Sequence, residues 1–166
     1  GWFTNLLAEI PGTEVIGVDV NDLELEQAAR VFKKSNLLFV YADIFSPEAD
    51  ALKEFDIITL NSCIQYFDDF KKITDLLQLK LKKGGELHII DSPFYHQDDI
   101  AAARNRTNEY FDQLGYPEMA KNYFHHSWTD VSDFHSLYDP KKSKIKKLFG
   151  VADTPFHWLC RKQEVW

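Results

Sequence analysis

Two carboxylates stand where short apolar runs stop. Asp19 closes Val15-Ile16-Gly17-Val18-Asp19, and Asp43 follows Leu37-Leu38-Phe39-Val40-Tyr41 by one alanine. A carboxylate at the end of a buried strand can accept both hydroxyl hydrogens of an adenosine ribose. A second one, on the neighbouring strand end, can take the exocyclic amino group of adenine while apolar neighbours cover the ring faces. The competing use of each residue is as a turn or helix-capping acid. Together the two acids suit an adenosine with free hydroxyls.

Other groups gather after later apolar runs. Gln65 and Tyr66 follow Asn61, and Asp91, Tyr95 and His96 follow Ile90. His96 could act as a general base, with a solvated loop histidine as the plainer reading. His125, His126 and His135 lack accompanying carboxylate or cysteine spacing, so no metal site is expected. Cys63 and Cys160 lie far apart, with neither zinc-knuckle nor CxxC spacing, which points to a reducing cytoplasm. Cys63 reads as a small packing residue. The run Lys141 to Lys147 reads as a solvated face. Phe124, Trp128, Phe134, Phe156 and Trp158 read first as core, with an acceptor pocket as the alternative.

Alternating elements must position these groups. Trp2 to Ile10 has helical spacing and stops at Pro11-Gly12. The β-branched run ending at Asp19 predicts a buried parallel strand. Asp22 is placed to cap a helix that ends near Ser35-Asn36, and Leu37 to Tyr41 predicts a second strand. Pro47 to Lys53 predicts a short helix, and Asp56 to Leu60 a third strand. Phe70 to Leu81 predicts a helix stopped by Lys82-Lys83-Gly84-Gly85, and Glu86 to Ile90 a fourth strand. Beyond Ser92-Pro93 the rhythm changes to a helix over Asp98 to Leu114 and two late strands, Ser132 to Tyr138 and Thr154 to Arg161. With no helix clearly between them, these predict an antiparallel hairpin.

The pattern is that of an α/β three-layer sandwich, a mostly parallel sheet flanked by helices and closed by the hairpin. The chain of 166 residues, 45% hydrophobic, is enough for one domain. Its expected parts are 1–91 for a cofactor, 92–130 on the acceptor side and 131–166 for the closing hairpin. A net charge of -7 argues against a grip on nucleic acid. Neither a membrane-spanning apolar stretch nor a signal-peptide pattern is evident.

The segments Val15 to Asp19, Tyr41-Ala42-Asp43-Ile44-Phe45, Phe55 to Ser62 and Leu81 to Leu87 resemble, in order and spacing, successive motifs of small-molecule S-adenosylmethionine-dependent methyltransferases of the Rossmann-like class. The resemblance implies methyl transfer from S-adenosylmethionine to a small-molecule acceptor. It implies that Asp19 holds the ribose, Val20 packs on adenine and Asp43 with Ile44 binds its edge and face. Asn61 and Ser62 would lie by the methionine moiety, and Gln65, Tyr66, Tyr95 and His96 near the acceptor. Gly1 resembles the last glycine of the family's glycine-rich loop. The chain therefore looks truncated, lacking the first strand, which would sit between those ending at Asp19 and Asn61. Its exposed edges would favour a homo-oligomer. The competing readings are a non-catalytic scaffold of the same fold and an NAD-dependent oxidoreductase. The latter predicts no adenine-binding acid at Asp43 and no closing hairpin.

Overall fold

The computed structural model describes residues 1–52, 54–141 and 154–163, so the lysine-rich run beyond Lys141 lies outside the described residues. The architecture is α/β, in two compact units, Gly1–Lys53 and Glu54–Trp166.

In the first unit, α1 (Trp2–Leu7), β1 (Val15–Asp19), α2 (Asp22–Val31) and β2 (Leu37–Tyr41) follow in order. β1 and β2 run parallel, Val15 opposite Leu37 and Asp19 opposite Tyr41. The crossover through α2 is what a parallel pair requires. Gly17 is bare because a Cβ there would come within 2.9 Å of the Phe39 ring, which lies across it from the neighbouring strand.

Three expectations are corrected here. The first helix stops at Leu7 rather than Ile10, because Thr13 turns back and donates its hydroxyl to the carbonyls of Leu7 and Ile10, at 3.1 and 2.9 Å. The cap of α2 is Asn21, not Asp22: its side chain accepts the Glu24 N–H at 3.2 Å. That helix ends at Val31 rather than near Asn36 because the next residues are engaged elsewhere. Lys34 donates to the Asn5 carbonyl at 3.0 Å, and the Asn36 amide donates to Ala8 and Thr13 carbonyls, both at 2.9 Å. Pro47 to Lys53 yields one 3-10 turn, Pro47–Ala51.

The second unit contains β3 (Phe55–Asn61), α3 (Phe70–Leu79), β4 (Leu81–Ser92), α4 (Ile100–Gln113), β5 (His135–Tyr138) and β6 (His157–Lys162). Its sheet order is β3-β4-β6-β5, with β3 and β4 parallel and both pairs involving β6 antiparallel. The expected closing hairpin is therefore present. Ile64, Ile73, Leu77, Leu87, Ile89 and Leu159 form its buried core. Arg161 fastens β6 to α3, donating to the Thr74 carbonyl at 3.1 Å and Gln78 Oε1 at 3.0 Å.

Boundaries shift in this unit too. The helix predicted to start at Asp98 begins at Ile100 after a 3-10 turn, and β5 starts at His135 because Phe134 N–H closes a turn onto Val131, at 3.0 Å. β6 starts at His157 instead of Thr154, whose hydroxyl accepts the Phe156 N–H at 3.2 Å.

The largest departure is at Lys82-Lys83-Gly84-Gly85. The helix ends at Leu79, and this segment lies within β4 instead of ending a helix. Leu81 pairs with Phe55 and Glu86 with Ile57, so β4 loops out where β3 has only Asp56 opposite. Gly84 takes φ 78°, the left-handed region. At Gly85 a Cβ would lie 2.9 to 3.1 Å from the carbonyl oxygens of Asp56, Lys82 and Phe55. Backbone atoms cannot yield as a side chain can. Gly85→Ala is expected to destabilise the fold by about 1–3 kcal/mol, the range for overpacking, read as a lower urea midpoint; an unchanged midpoint contradicts this packing.

Candidate active site

In the first unit, the ladder runs one step past the strands: Ala42 N–H donates to the Asp19 carbonyl at 3.1 Å. This ties the turn carrying Asp43 to Asp19 itself. Asp19 Oδ1 accepts the Asn21 N–H at 3.0 Å, and Asp43 Oδ1 accepts the Phe45 N–H at 2.9 Å. Each acid thus serves as a turn former through one oxygen. The other oxygen of each exposed carboxylate has no partner among the described residues. Val20 is exposed and apolar, Ile44 half-buried and Ala42 buried. The donor set and its apolar surroundings suit an adenosyl group. Gly1 is bare for packing: a Cβ would sit 2.6 Å from that of Ala28.

In the second unit, the carboxyl ends of β3 and β4 meet at two residues with left-handed backbones, Ser62 and Asp91, each at φ 53°. For a residue with a side chain, that conformation costs about 1–2 kcal/mol. Hydrogen bonds offset it. Ser62 N–H donates to the Ile90 carbonyl at 3.0 Å, and its hydroxyl lies 2.8 Å from Asp91 Oδ2 and 3.0 Å from the Asp91 carbonyl. Thr154 donates to Asp91 Oδ1 at 3.2 Å, so both carboxylate oxygens are engaged. Strain held in place at strand ends is a common mark of functional positions.

Gln65 and Tyr66 follow on a single 3-10 turn, Ile64–Tyr66. The buried Gln65 donates from Nε2 to the Ser62 carbonyl at 2.8 Å, and its backbone carbonyl accepts the Phe124 N–H at 2.7 Å. Its Oε1 is buried without a partner among the described residues. His126 donates from Nε2 to the Ile64 carbonyl at 3.0 Å. Tyr95 bonds through its backbone to His126 and Trp128, both at 3.0 Å. Its ring lies 5.3 Å from that of His125, which lies 5.3 Å from Tyr123, which in turn meets Tyr66 edge-on at 6.0 Å. The sequence-predicted Gln65, Tyr66 and Tyr95 therefore share one neighbourhood. His96 has an exposed side chain with no partner among the described residues.

His125 and Tyr123 were not legible as site residues, since nothing distinguishes them within an aromatic stretch. His125 is buried, with Nε2 2.9 Å from the Thr107 hydroxyl. Burial, then the nearby Arg104 and His126, hold its imidazole below the usual range. Burial pushes the Tyr95 and Tyr123 phenols up. Beside them opens a cavity of about 310 Å³ whose walls include Arg104, Asn108, Lys121, Tyr123, Phe124 and His125.

A second cluster also escaped the sequence. Glu86, His88 and Cys160 bring ligand-type atoms within 4.8 Å of one another. The two strand residues alternate onto one face, and antiparallel pairing sets Cys160 opposite His88. Trp158 donates its indole N–H to His88 Nδ1 at 2.9 Å, which leaves the imidazole proton on Nε2, facing Glu86 Oε2 at 3.2 Å. A metal-bound imidazole normally donates through its other nitrogen. Here that nitrogen accepts, so the cluster is built as a hydrogen-bond chain continuing from Glu86 to Lys162 at 2.9 Å.

Burial holds His88 below the usual range as well, with Glu86 opposing. Both imidazoles stay neutral in the fold where the unfolded chain would take up protons, so stability falls as pH drops through about 6.5. A melting temperature that declines from about pH 7.5 to about pH 5.5 is the expected outcome, with both rings titrating below 6.5 by NMR. A flat profile with ordinary titration contradicts it.

A family model described as a methyltransferase domain matches residues 1–150. An O-methyltransferase family protein from Burkholderia thailandensis is similar at TM-score 0.65 and 14% identity, over 98% of this chain and 47% of that one. This chain thus spans about half of that protein's length. A SAM-dependent methyltransferase from Anabaena variabilis is similar at TM-score 0.59 and 19% identity, covering 98% of this chain and 72% of that one. The plantazolicin methyltransferase BpumL, solved with a desmethyl analogue and SAH, is similar at TM-score 0.54 and 16% identity, covering 93% and 69%. At such identities these likenesses concern the fold. No curated protein sequence matches the chain.

Proposed function

Because the chain belongs to the methyltransferase-domain family, we propose that it acts in an enzyme moving a methyl group from S-adenosylmethionine to a small-molecule acceptor. The observation that carries the proposal is the pair of strand-end acids, Asp19 and Asp43, joined through the Ala42–Asp19 bond of 3.1 Å and each keeping one oxygen without a partner among the described residues. When bound, the cofactor supplies a methyl group on a sulfonium, which is displaced in line and needs alignment more than a protein nucleophile.

Asp19 accepts from the ribose hydroxyls, and Asp43 from the adenine amino group. Val20 and Ile44 offer apolar cover to the base. Asn61 and Ser62 stand at a strand carboxyl end, where ligands of open α/β sheets bind, and are assigned to the methionine moiety. Gln65 Oε1, buried and without a partner among the described residues, is assigned to accept a hydrogen from the acceptor. Tyr66 and Tyr95 line that side, and His96 remains the candidate base.

The hairpin of β5 and β6 speaks against the oxidoreductase alternative, which predicts none. The acidic net charge of -7 favours a small molecule over nucleic acid. Two free cysteines accord with a cytoplasmic setting. Among the described residues no helix is long and apolar enough to cross a membrane.

In the full-length protein, Asp19→Ala removes two charged hydrogen bonds of about 1.5–3 kcal/mol each, so affinity for S-adenosylhomocysteine should fall by at least about 100-fold by calorimetry. Cooperative unfolding should persist, since the residue is exposed. Unchanged affinity removes Asp19 from the site, and no binding by the parent protein favours the scaffold reading.

A further inference from the structure

The cavity beside His125 is lined by charged side chains that form no hydrogen bond or ion pair among the described residues. Its volume of about 310 Å³ lies at the small end of ligand pockets, roughly 300–1,000 Å³. Arg104 and Lys121 both line it, and neither has a hydrogen bond or ion pair among the described residues. Asn108 adds an amide with no hydrogen bond among the described residues, and Asp68 contributes a carboxylate to the lining. Within a chain of net charge -7, this is a locally basic recess.

The rest of the wall is flat and apolar: Tyr123 and Phe124 are half-buried there. The recess is also anchored to the acceptor side. Phe124 N–H donates to the Gln65 carbonyl at 2.7 Å, and His126 to the Ile64 carbonyl at 3.0 Å. A guanidinium presents paired donors that match a carboxylate, and an ammonium adds a point charge. An anion there would also ease the repulsion between Arg104 and a protonated His125.

We propose that this recess binds a small carboxylate with a planar body, its acid group held by Arg104 and Lys121 and its ring against Tyr123 and Phe124, and that the methyl acceptor is of this class. The acceptor assignment rests on the methyl-transfer reading; the anion site does not.

The probe is salicylate, with uncharged salicylamide as its control, titrated into the full-length protein and followed by NMR. Salicylate should shift the His125 and Tyr123 signals saturably, and Arg104→Gln and Lys121→Gln should each weaken its binding about 10-fold. Both replaced side chains are exposed, so the variants should fold. Equal binding of salicylamide, undiminished binding by both variants, or no saturable shift in the parent overturns the site. Stronger competition by inorganic phosphate overturns the carboxylate assignment in favour of a phosphorylated ligand. S-adenosylhomocysteine affinity, read in the same samples, reports on the adenosyl-binding acids separately; its absence alongside salicylate binding would remove the methyl-transfer reading and leave the anion site standing.

Discussion

A parallel ladder must stop, and where it stops the backbone still has donors to satisfy. In this chain both parallel pairs stop in the same way. Ala42 donates across to Asp19, and Ser62 donates across to Ile90, at 3.1 and 3.0 Å. Each bond holds the chain against its neighbour for one residue beyond the strand and forces the turn there. The chemistry-bearing side chains all hang from these two turns or from what they touch. Asp43 is placed by the first, and Gln65 by the second through its bond to the Ser62 carbonyl at 2.8 Å.

The second turn needs more restraint than the first. Ser62 and Asp91 both occupy a backbone region that side chains disfavour. One side chain braces the other, and Thr154 braces Asp91 from the approach to β6 at 3.2 Å. The closing hairpin therefore reaches the strand ends as well as lengthening the sheet. That gives the C-terminal strands a part in fixing the proposed site, where the sequence offered only Trp158, as the alternative to a core residue.

Elements whose signal is local were legible in the sequence. β2 matches its expected span because five apolar residues run from Asn36 to the turn at Ala42-Asp43, and the antiparallel hairpin follows from a missing crossover. The strand-end acids were legible because strand and carboxylate are neighbours in the chain. What failed depended on distant partners. The end of α2 is set by Asn36 reaching Ala8 and Thr13, and the Lys82–Gly85 loop by the carbonyls of β3. Of the two glycines that read as a helix stop, Gly84 serves a left-handed turn and Gly85 a close backbone approach. Glu86 and His88 looked unrelated to Cys160 until pairing brought them together.

His125 shows why an aromatic stretch hides a buried histidine. Its position depends on a short parallel bridge between Tyr95 and Ser127, two loop residues with no strand pattern around them. The bridge fixes the backbone of His126, whose imidazole then bonds to Ile64, so the same contact that buries His125 also steadies the turn bearing Gln65. Residues from separate loops thus share one restraint. A shift in either loop would move the Gln65 oxygen, which has no partner among the described residues, and the wall of the basic recess together; on the proposed reading, that couples where an acceptor is held to how it is oriented.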